Sequence, residues 1–168
     1  MLRAIRRVAV VLIRHGFKAV AGFLLLAWGT TLLAPRPAAA DETCEKWKKV
    51  ALSSVGLGQR LQAVETLRAV GSTASLDALE DVARDGDLRI GAAACAALGR
   101  AGSSASKDRL RGLVEDGGLS THLRVAAAAC IAEHWKDAGD RSWLEEKSEG
   151  NPELAAHVAV LRSRVYGE

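Results

Sequence analysis

The stretch Leu88-Arg-Ile-Gly-Ala-Ala-Ala-Cys-Ala-Ala-Leu-Gly99 decides the fold of this chain. It returns 35 positions later as Leu123-Arg-Val-Ala-Ala-Ala-Ala-Cys-Ile-Ala132, and a looser copy lies upstream at Leu61-Gln-Ala-Val-Glu-Thr-Leu-Arg-Ala-Val-Gly71. A unit that repeats at a fixed spacing of about 20–50 residues is the signature of a solenoid, in which each unit buries its apolar face against the next. The sequence therefore predicts an all-α solenoid of stacked helical pairs.

Helical periods continue through the chain after residue 40. We predict about eight helices there: a cap helix at 43–55, three helical pairs at about 59–87, 88–119 and 120–150, and a closing helix at 152–166. The turns between them are rich in Gly, Ser and Asp and are short, as is usual between neighbouring helices. Residues 41–168 are therefore expected to form one repeat domain that follows a separate N-terminal segment.

Helix starts and buried faces can be predicted from side-chain chemistry. Ser, Thr, Asp and Asn side chains accept hydrogen bonds from the free N–H groups at a helix start. The predicted caps are Thr43, Ser75, Asp87, Ser106, Ser120 or Thr121, Asp140 and Asn151. In the first repeat the apolar spacing predicts that one helix face, with Leu61, Val64, Leu67 and Val70, is buried.

Charge is divided unevenly along the 168 residues. The net charge is +3, but residues 1–40 hold six basic and no acidic residues, so residues 41–168 carry 17 basic against 20 acidic side chains. A mildly acidic body has few cations to spare for phosphate groups. Apolar residues make up 49% and aromatic residues only 4%, which favours closely packed alanine-rich helices. We therefore exclude nucleic acid as a partner and expect another protein.

Residues 1–40 have the pattern of a secretory signal. Five basic side chains precede an uncharged run of 16 residues that ends at Ala34, and Ala38 and Ala40 supply the small residues found before a signal-peptidase cleavage site. The run is shorter than the roughly 20 apolar residues of a spanning helix. An uncleaved anchor is the alternative, with membrane contact only through residues 1–34. Both interpretations predict export to the periplasm or the cell exterior, with or without attachment to the inner membrane.

No metal site, cofactor site or catalytic motif is recognisable in the sequence. His122, His134 and His157 have no Cys, Asp or Glu cluster at the usual spacing of metal ligands. A phosphate-binding glycine loop and a nucleophile elbow are also missing. We predict a non-catalytic protein without a metal or cofactor.

Two of the three cysteines hold matched positions in the repeats. Cys95 and Cys130 lie within alanine-rich helices, which predicts buried thiols. Stacked helices lie about 8–10 Å apart, whereas a disulfide needs Cα atoms within about 7 Å, so we predict that the two thiols are not bonded to each other. Cys44, near the start of the body, is expected to be the most reactive of the three.

The pattern Leu-Arg-x-x-Ala-Ala-x-x-Ala-x-Leu-Gly spans residues 88–99, and the second helix that follows is acidic and ends at Asp116-Gly117. It recurs in part at residues 123–131. This pattern resembles the short HEAT-like repeats of bilin-lyase-type proteins and many bacterial scaffold proteins, over roughly residues 58–166. The resemblance implies a right-handed α-solenoid, with the first helices on the convex side and the second helices on the concave side. It implies binding and, by itself, no chemistry.

The resemblance also places the candidate binding surface on the second helix of each pair. Outward-pointing side chains there are expected to contact the partner, and Trp143 is the one large aromatic residue near this face. The predicted partner-binding residues are Asp77, Asp81, Arg84, Lys107, Arg111, Arg141 and Trp143. By the same resemblance, Arg89 and Arg124 are expected to pair with an acid of a neighbouring turn. Asp85 and Asp116 are the candidates.

Two functions follow from this pattern of residues. The first is an exported, non-catalytic scaffold that binds another protein. The alternative is a lyase or chaperone that holds a small ligand in the concave groove, as the resemblance to bilin-lyase proteins implies. The short chain and the lack of a clustered polar or thiol site favour the first.

Overall fold

The computed structural model describes residues 37–167, with side chains from residue 41. Within this range the chain forms eight α-helices and no strand. The helices are α1 (Pro37–Leu52), α2 (Leu57–Val70), α3 (Thr73–Asp85), α4 (Leu88–Ala101), α5 (Ser104–Glu115), α6 (Thr121–Trp135), α7 (Ala138–Ser148) and α8 (Pro152–Leu161). A single π-helical turn, Arg162–Tyr166, extends α8. The prediction of an all-helical solenoid is confirmed, while the predicted leader up to residue 36 lies outside the described residues.

The helices form two layers. Helices α2, α4, α6 and α8 stack side by side and are called here the first-helix layer, while α1, α3, α5 and α7 form the second-helix layer. The backbones of α5 and α7 lie farther apart than those of α1 and α3 or of α3 and α5. Side chains fill this wider gap, and they form the candidate site described below.

The core runs between the two layers and fixes the true register of the repeats. Leu67, Leu98 and Ile131 are each fully buried at the same place in α2, α4 and α6. Equivalent positions are therefore 31 residues apart between α2 and α4 and 33 residues apart between α4 and α6. The 35-residue register predicted from the alanine-rich stretches is wrong. Leu88 and Leu123, matched in that register, differ accordingly: Leu88 is 48% exposed and Leu123 is buried.

The helix ends repeat at the same positions. Gly71 and Gly102 end α2 and α4 in the left-handed conformation, with φ of 65° and 67°. In this conformation the chain turns back so that N–H groups after the helix can donate to its last carbonyl groups. Glycine adopts it most easily because it has no Cβ atom. Lys136 holds the same position after α6 with φ of 53°. The predicted C-cap at Gly71 is confirmed.

Three of the predicted N-caps lie one helical turn too late. Ser72 caps α3, Ser103 caps α5 and Asp137 caps α7, each accepting a hydrogen bond from the backbone N–H three residues on. The residues predicted as caps, Ser75, Ser106 and Asp140, are those third residues, and all three are buried. The sequence was ambiguous because both positions hold capping side chains, as in a capping box. Asp87, Ser120 and Asn151 cap α4, α6 and α8 as predicted.

The first two helices depart from the predicted bounds and core. Helix α1 begins at Pro37, a residue suited to a first helical turn, and so Thr43 lies inside the helix. In α2, Leu61 and Val70 are each 37% exposed, against the predicted burial. Among the described helices, α2 has a neighbour in its own layer on one side only, α4, so less of its surface is covered.

Candidate partner-binding surface

Ion pairs cross from each helix of the second-helix layer to the next, and we call this set the ion-pair ladder. The Lys48 ammonium of α1 lies 3.0 Å from the Asp81 carboxylate of α3. Arg109 of α5 donates through Nε to Asp77 of α3 at 3.0 Å. These charges hold neighbouring repeats together as well as facing solvent.

The ladder continues at the C-terminal ends of these helices. Arg84 of α3 contacts Glu80 at 2.9 Å and also the carboxylate of Asp116, which follows α5. Lys147 of α7 lies 3.3 Å from Glu115 of α5. Three of the predicted partner-binding residues, Asp77, Asp81 and Arg84, are therefore paired within the protein, where they stabilise the stack.

A denser polar cluster joins α5 and α7, where their backbones are farther apart. Asp140 is fully buried, and its carboxylate contacts the Lys107 ammonium and, at 2.7 Å, the Arg111 guanidinium. Lys107 also lies 3.1 Å from the exposed Asp137. A buried carboxylate is tolerated because two cations and hydrogen bonds replace its lost water. We call Lys107, Arg111, Asp137, Asp140 and Trp143 the α5–α7 cluster.

Aromatic rings lie against the two cations of the cluster. The Arg111 guanidinium lies 5.1 Å from the centroid of the half-buried Trp143 ring, and the Lys107 ammonium lies 5.7 Å from that of Trp135. At these distances the charged group is attracted to the face of the ring by a cation–π interaction. The Arg111 guanidinium therefore lies between the Asp140 carboxylate and the Trp143 ring at a partly exposed surface.

The cluster also perturbs two acids. The pKa of the Asp137 carboxyl is well below its usual range, because its charged form accepts hydrogen bonds from the Asp140 backbone N–H and from the Lys107 ammonium. Burial raises the pKa of Tyr166, and the nearby Asp140 carboxylate adds to this effect. Arg141, the remaining predicted contact residue, is half-buried, and its positive charge partly offsets the rise in the pKa of Tyr166.

The position of Asp140 repeats in every helix of the second-helix layer. Cys44, Ser75 and Ser106 occupy it in α1, α3 and α5, and each is at most 1% exposed. The final repeat thus has a carboxylate where the other three have a small, weakly polar group. Sequence reasoning missed Asp137, Trp135 and Tyr166, although the Asp137-x-x-Asp140 spacing, which matches Ser72-x-x-Ser75, was a usable signal.

The layered helical pairs can be compared with known proteins. Residues 58–132 match the family model of HEAT repeats. The matched stretch runs from the second residue of α2 to within three residues of the end of α6. The resemblance to HEAT repeats deduced from the alanine-rich pattern is therefore confirmed over these residues, while the narrower bilin-lyase type is not.

Among solved structures, the chain is similar to human deoxyhypusine hydroxylase in complex with glycerol. The TM-score is 0.61 and the sequence identity is 15%, over 77% of this chain and 46% of that one. At this identity the similarity shows the HEAT-repeat fold alone. The chain spans less than half the length of that protein. No curated protein matches the chain significantly.

The arginines of these helical pairs act differently from the prediction. Arg124 donates through Nε to the Val114 carbonyl at 2.8 Å, not to a carboxylate. Arg60 makes the same contact with the Ala51 carbonyl at 2.7 Å, so Arg60 and Arg124 are the equivalent pair. Gly91 takes this position in α4. The Arg89 side chain is exposed and has no hydrogen-bond or ion-pair partner among the described residues.

The three cysteines are free thiols. Burial raises the pKa of Cys95 to about 12, helped by Cys130 beside it, and burial raises that of Cys130 to about 12, helped by Glu133. Cys44, which we expected to be the most reactive thiol, is only 1% exposed and packs against α3, and its relative reactivity stays a prediction. Since the thiolate is the reactive form, neither Cys95 nor Cys130 is suited to attach a ligand covalently.

Other classes of site were sought within the same range. No group of three or more His, Cys, Asp or Glu residues between 41 and 167 is arranged to hold a metal ion. The three histidines singled out in the sequence, His122, His134 and His157, lie separately on the surface. In the part of the chain that the structure describes, no helix has the length and apolar character needed to cross a membrane.

Proposed function

We propose that this chain is a non-catalytic module that binds another protein through its second-helix layer. The observation that carries the proposal is the α5–α7 cluster, in which Arg111 and Trp143 are held in fixed orientations at a partly exposed surface. Arg and Trp are the residue types most often found at the energetic centre of protein interfaces. The contacts that fix them reduce the conformational entropy lost on binding.

The ion-pair ladder supports the same interpretation in a different way. Most charged side chains of the second-helix layer are paired with opposite charges of the same layer. In the proposed interface the ladder therefore forms the polar rim, and the α5–α7 cluster forms the central contact. Interfaces commonly combine a small desolvated centre with a surrounding polar rim. Among the predicted partner-binding residues, we therefore expect Arg111, Trp143 and Lys107 to matter most.

Site-specific photo-crosslinking tests this surface. A photoreactive phenylalanine analogue at the exposed Ser142, beside Trp143, should crosslink a partner in cells that express the full chain. The same analogue at the exposed Gln62 of α2, in the first-helix layer, is the matched control and should give little product. Exchanging Arg111 and Trp143 for Ala together should remove most of the Ser142 product. Equal crosslinking at Ser142 and Gln62, or an unchanged yield in the double variant, would contradict the proposal.

We further propose that the module is exported, since residues 1–40 have the basic, apolar and small-residue pattern of a secretory signal. The expected mature chain begins at Asp41. Mass spectrometry of the N-terminus measures this directly. Full-length chain in the membrane fraction would favour the anchor, and full-length chain in the cytosol would contradict export. The predicted cleavage site, with Ala38 and Ala40, lies in the first turn of α1, where side chains are not described.

The alternative, a lyase or chaperone that holds a small ligand, has weaker support. The pKa values of the buried Cys95 and the partly buried Cys130 are both raised to about 12, which argues against a thioether site at either thiol. An absorbance spectrum of the purified full chain separates the two functions, because a bound chromophore would absorb in the visible range. The scaffold proposal expects protein absorbance alone.

A further inference from the structure

Exposed apolar side chains concentrate at one edge of the first-helix layer. Among the described residues, six large apolar side chains are more than a third exposed, and four of them lie at or near the N-terminal ends of α2 and α4. These four are Val55, Leu57, Leu61 and Leu88. Soluble proteins expose single apolar residues freely, but a local group of them marks a contact surface.

Two of these leucines are equivalent residues of neighbouring repeats. Leu57 and Leu88 are the first residues of α2 and α4, and they are 40% and 48% exposed. The same position in α6 holds Thr121, a polar residue. The stacking of the repeats therefore does not require an apolar residue at this position, and the leucine pair is specific to the first two repeats.

The two leucines line a surface groove of about 440 Å³ together with Arg60, Asp87 and Arg89. The Arg60 guanidinium lies 2.5 Å from the Asp87 carboxylate, so these two charges offset each other. The Arg89 guanidinium has no partner within residues 41–167, which leaves the groove with one uncompensated positive charge. Gly56 gives the start of α2 no side-chain cap, so its free N–H groups add to the positive potential.

We propose that this groove binds an acidic, aliphatic peptide segment of a partner protein. An aliphatic side chain of the segment fits between Leu57 and Leu88, and an adjacent carboxylate pairs with Arg89, which guanidinium geometry favours. Charge complementarity selects an acidic segment over a basic one. The inference rests on the proposed function in one respect, namely that the ligand is a segment of another protein. It does not depend on the α5–α7 cluster, because the groove lies in the first-helix layer.

Selection of peptides from a random phage-displayed library on the purified full chain tests the proposal. We expect enrichment of sequences with Leu, Ile or Val beside Asp or Glu. A synthetic peptide of the enriched sequence should bind the double variant Leu57→Thr/Leu88→Thr at least tenfold more weakly than it binds the unchanged chain. Both substitutions introduce threonine, the residue found at the equivalent position of α6, Thr121. Arg89→Ala should weaken binding about fivefold and reduce its dependence on salt.

Val160→Thr is the matched control, since Val160 is 62% exposed on α8, outside the groove. It should leave peptide binding unchanged, and the thermal melting curves of all variants should match that of the unchanged chain. No enrichment, an enriched basic or non-acidic sequence, or equal binding by the double leucine variant would overturn the proposal. None of these results affects the crosslinking test at Ser142, so the proposals for the two surfaces are tested independently.

Discussion

Replacing Asp140 with Ala should lower the free energy of unfolding by about 3 kcal/mol, because removing one partner of a buried ion pair leaves the other charges uncompensated. Asp140 is fully buried, while the Lys107 and Arg111 side chains that it contacts are 16% and 35% exposed. Partial access to water lets the two cations recover some hydration, which places the loss at the lower end of the usual range. Chemical denaturation of the full chain, followed by helical circular dichroism, measures it.

Ser106→Ala is the matched control for this substitution. Ser106 occupies the same position in α5 and is also fully buried, but it contacts only Ser103 through a capping box. Its loss removes the hydrogen bonds that the Ser106 hydroxyl makes with the Ser103 backbone and should cost about 1 kcal/mol, the usual net contribution of a hydrogen bond. A cost for Asp140→Ala no greater than that for Ser106→Ala would show that the contacts with Lys107 and Arg111 contribute nothing to stability.

Replacing Gly91 with Val should lower the free energy of unfolding by about 2–4 kcal/mol through overpacking. A Cβ atom at Gly91 would lie 2.7 Å from Cδ2 of Leu123 and 3.0 Å from the Ala83 carbonyl oxygen. The Leu123 side chain can shift by a few tenths of an ångström, but the carbonyl belongs to the backbone of α3. A branched side chain therefore forces α4 away from both α3 and α6.

Gly112→Ala is the control for the glycine substitution, because Gly112 lies inside α5 with its nearest neighbours 3.9 Å from a built Cβ. Alanine loses less conformational freedom than glycine on entering a helix, so this change should stabilise the chain by about 0.5–1 kcal/mol. Thermal unfolding of both variants measures the two effects. A melting temperature for Gly91→Val at or above that of the unchanged chain would contradict the close packing of α4 on its neighbours.

Asp140 connects the stability of the fold with the proposed binding surface. A serine at this position satisfies the start of α3 or α5 without charge, whereas Asp140 requires two cations from the preceding helix. That requirement fixes Arg111 against Trp143 and spans the wider gap between α5 and α7. Stability and the proposed recognition surface therefore depend on the same carboxylate.

The sequence by itself determined the fold class, the helix count and several helix ends. Periodic apolar residues and Gly, Ser or Asp turns are local signals, and local signals specify where a helix starts, stops and buries one face. Asp87, Ser120 and Asn151 were correctly predicted as caps for this reason, and Gly71 as a left-handed C-cap.

Only the tertiary structure decided the register between repeats and the composition of the site. The match of Leu88 to Leu123 is better in sequence than the match of Ile90 to Leu123, but only the second pair shares a buried environment against the facing helices. The predicted surface charges proved to be paired because their partners lie about thirty residues away, on the next helix of the layer. Such contacts depend on how far apart neighbouring helices stack, and no local spacing in the chain records that distance.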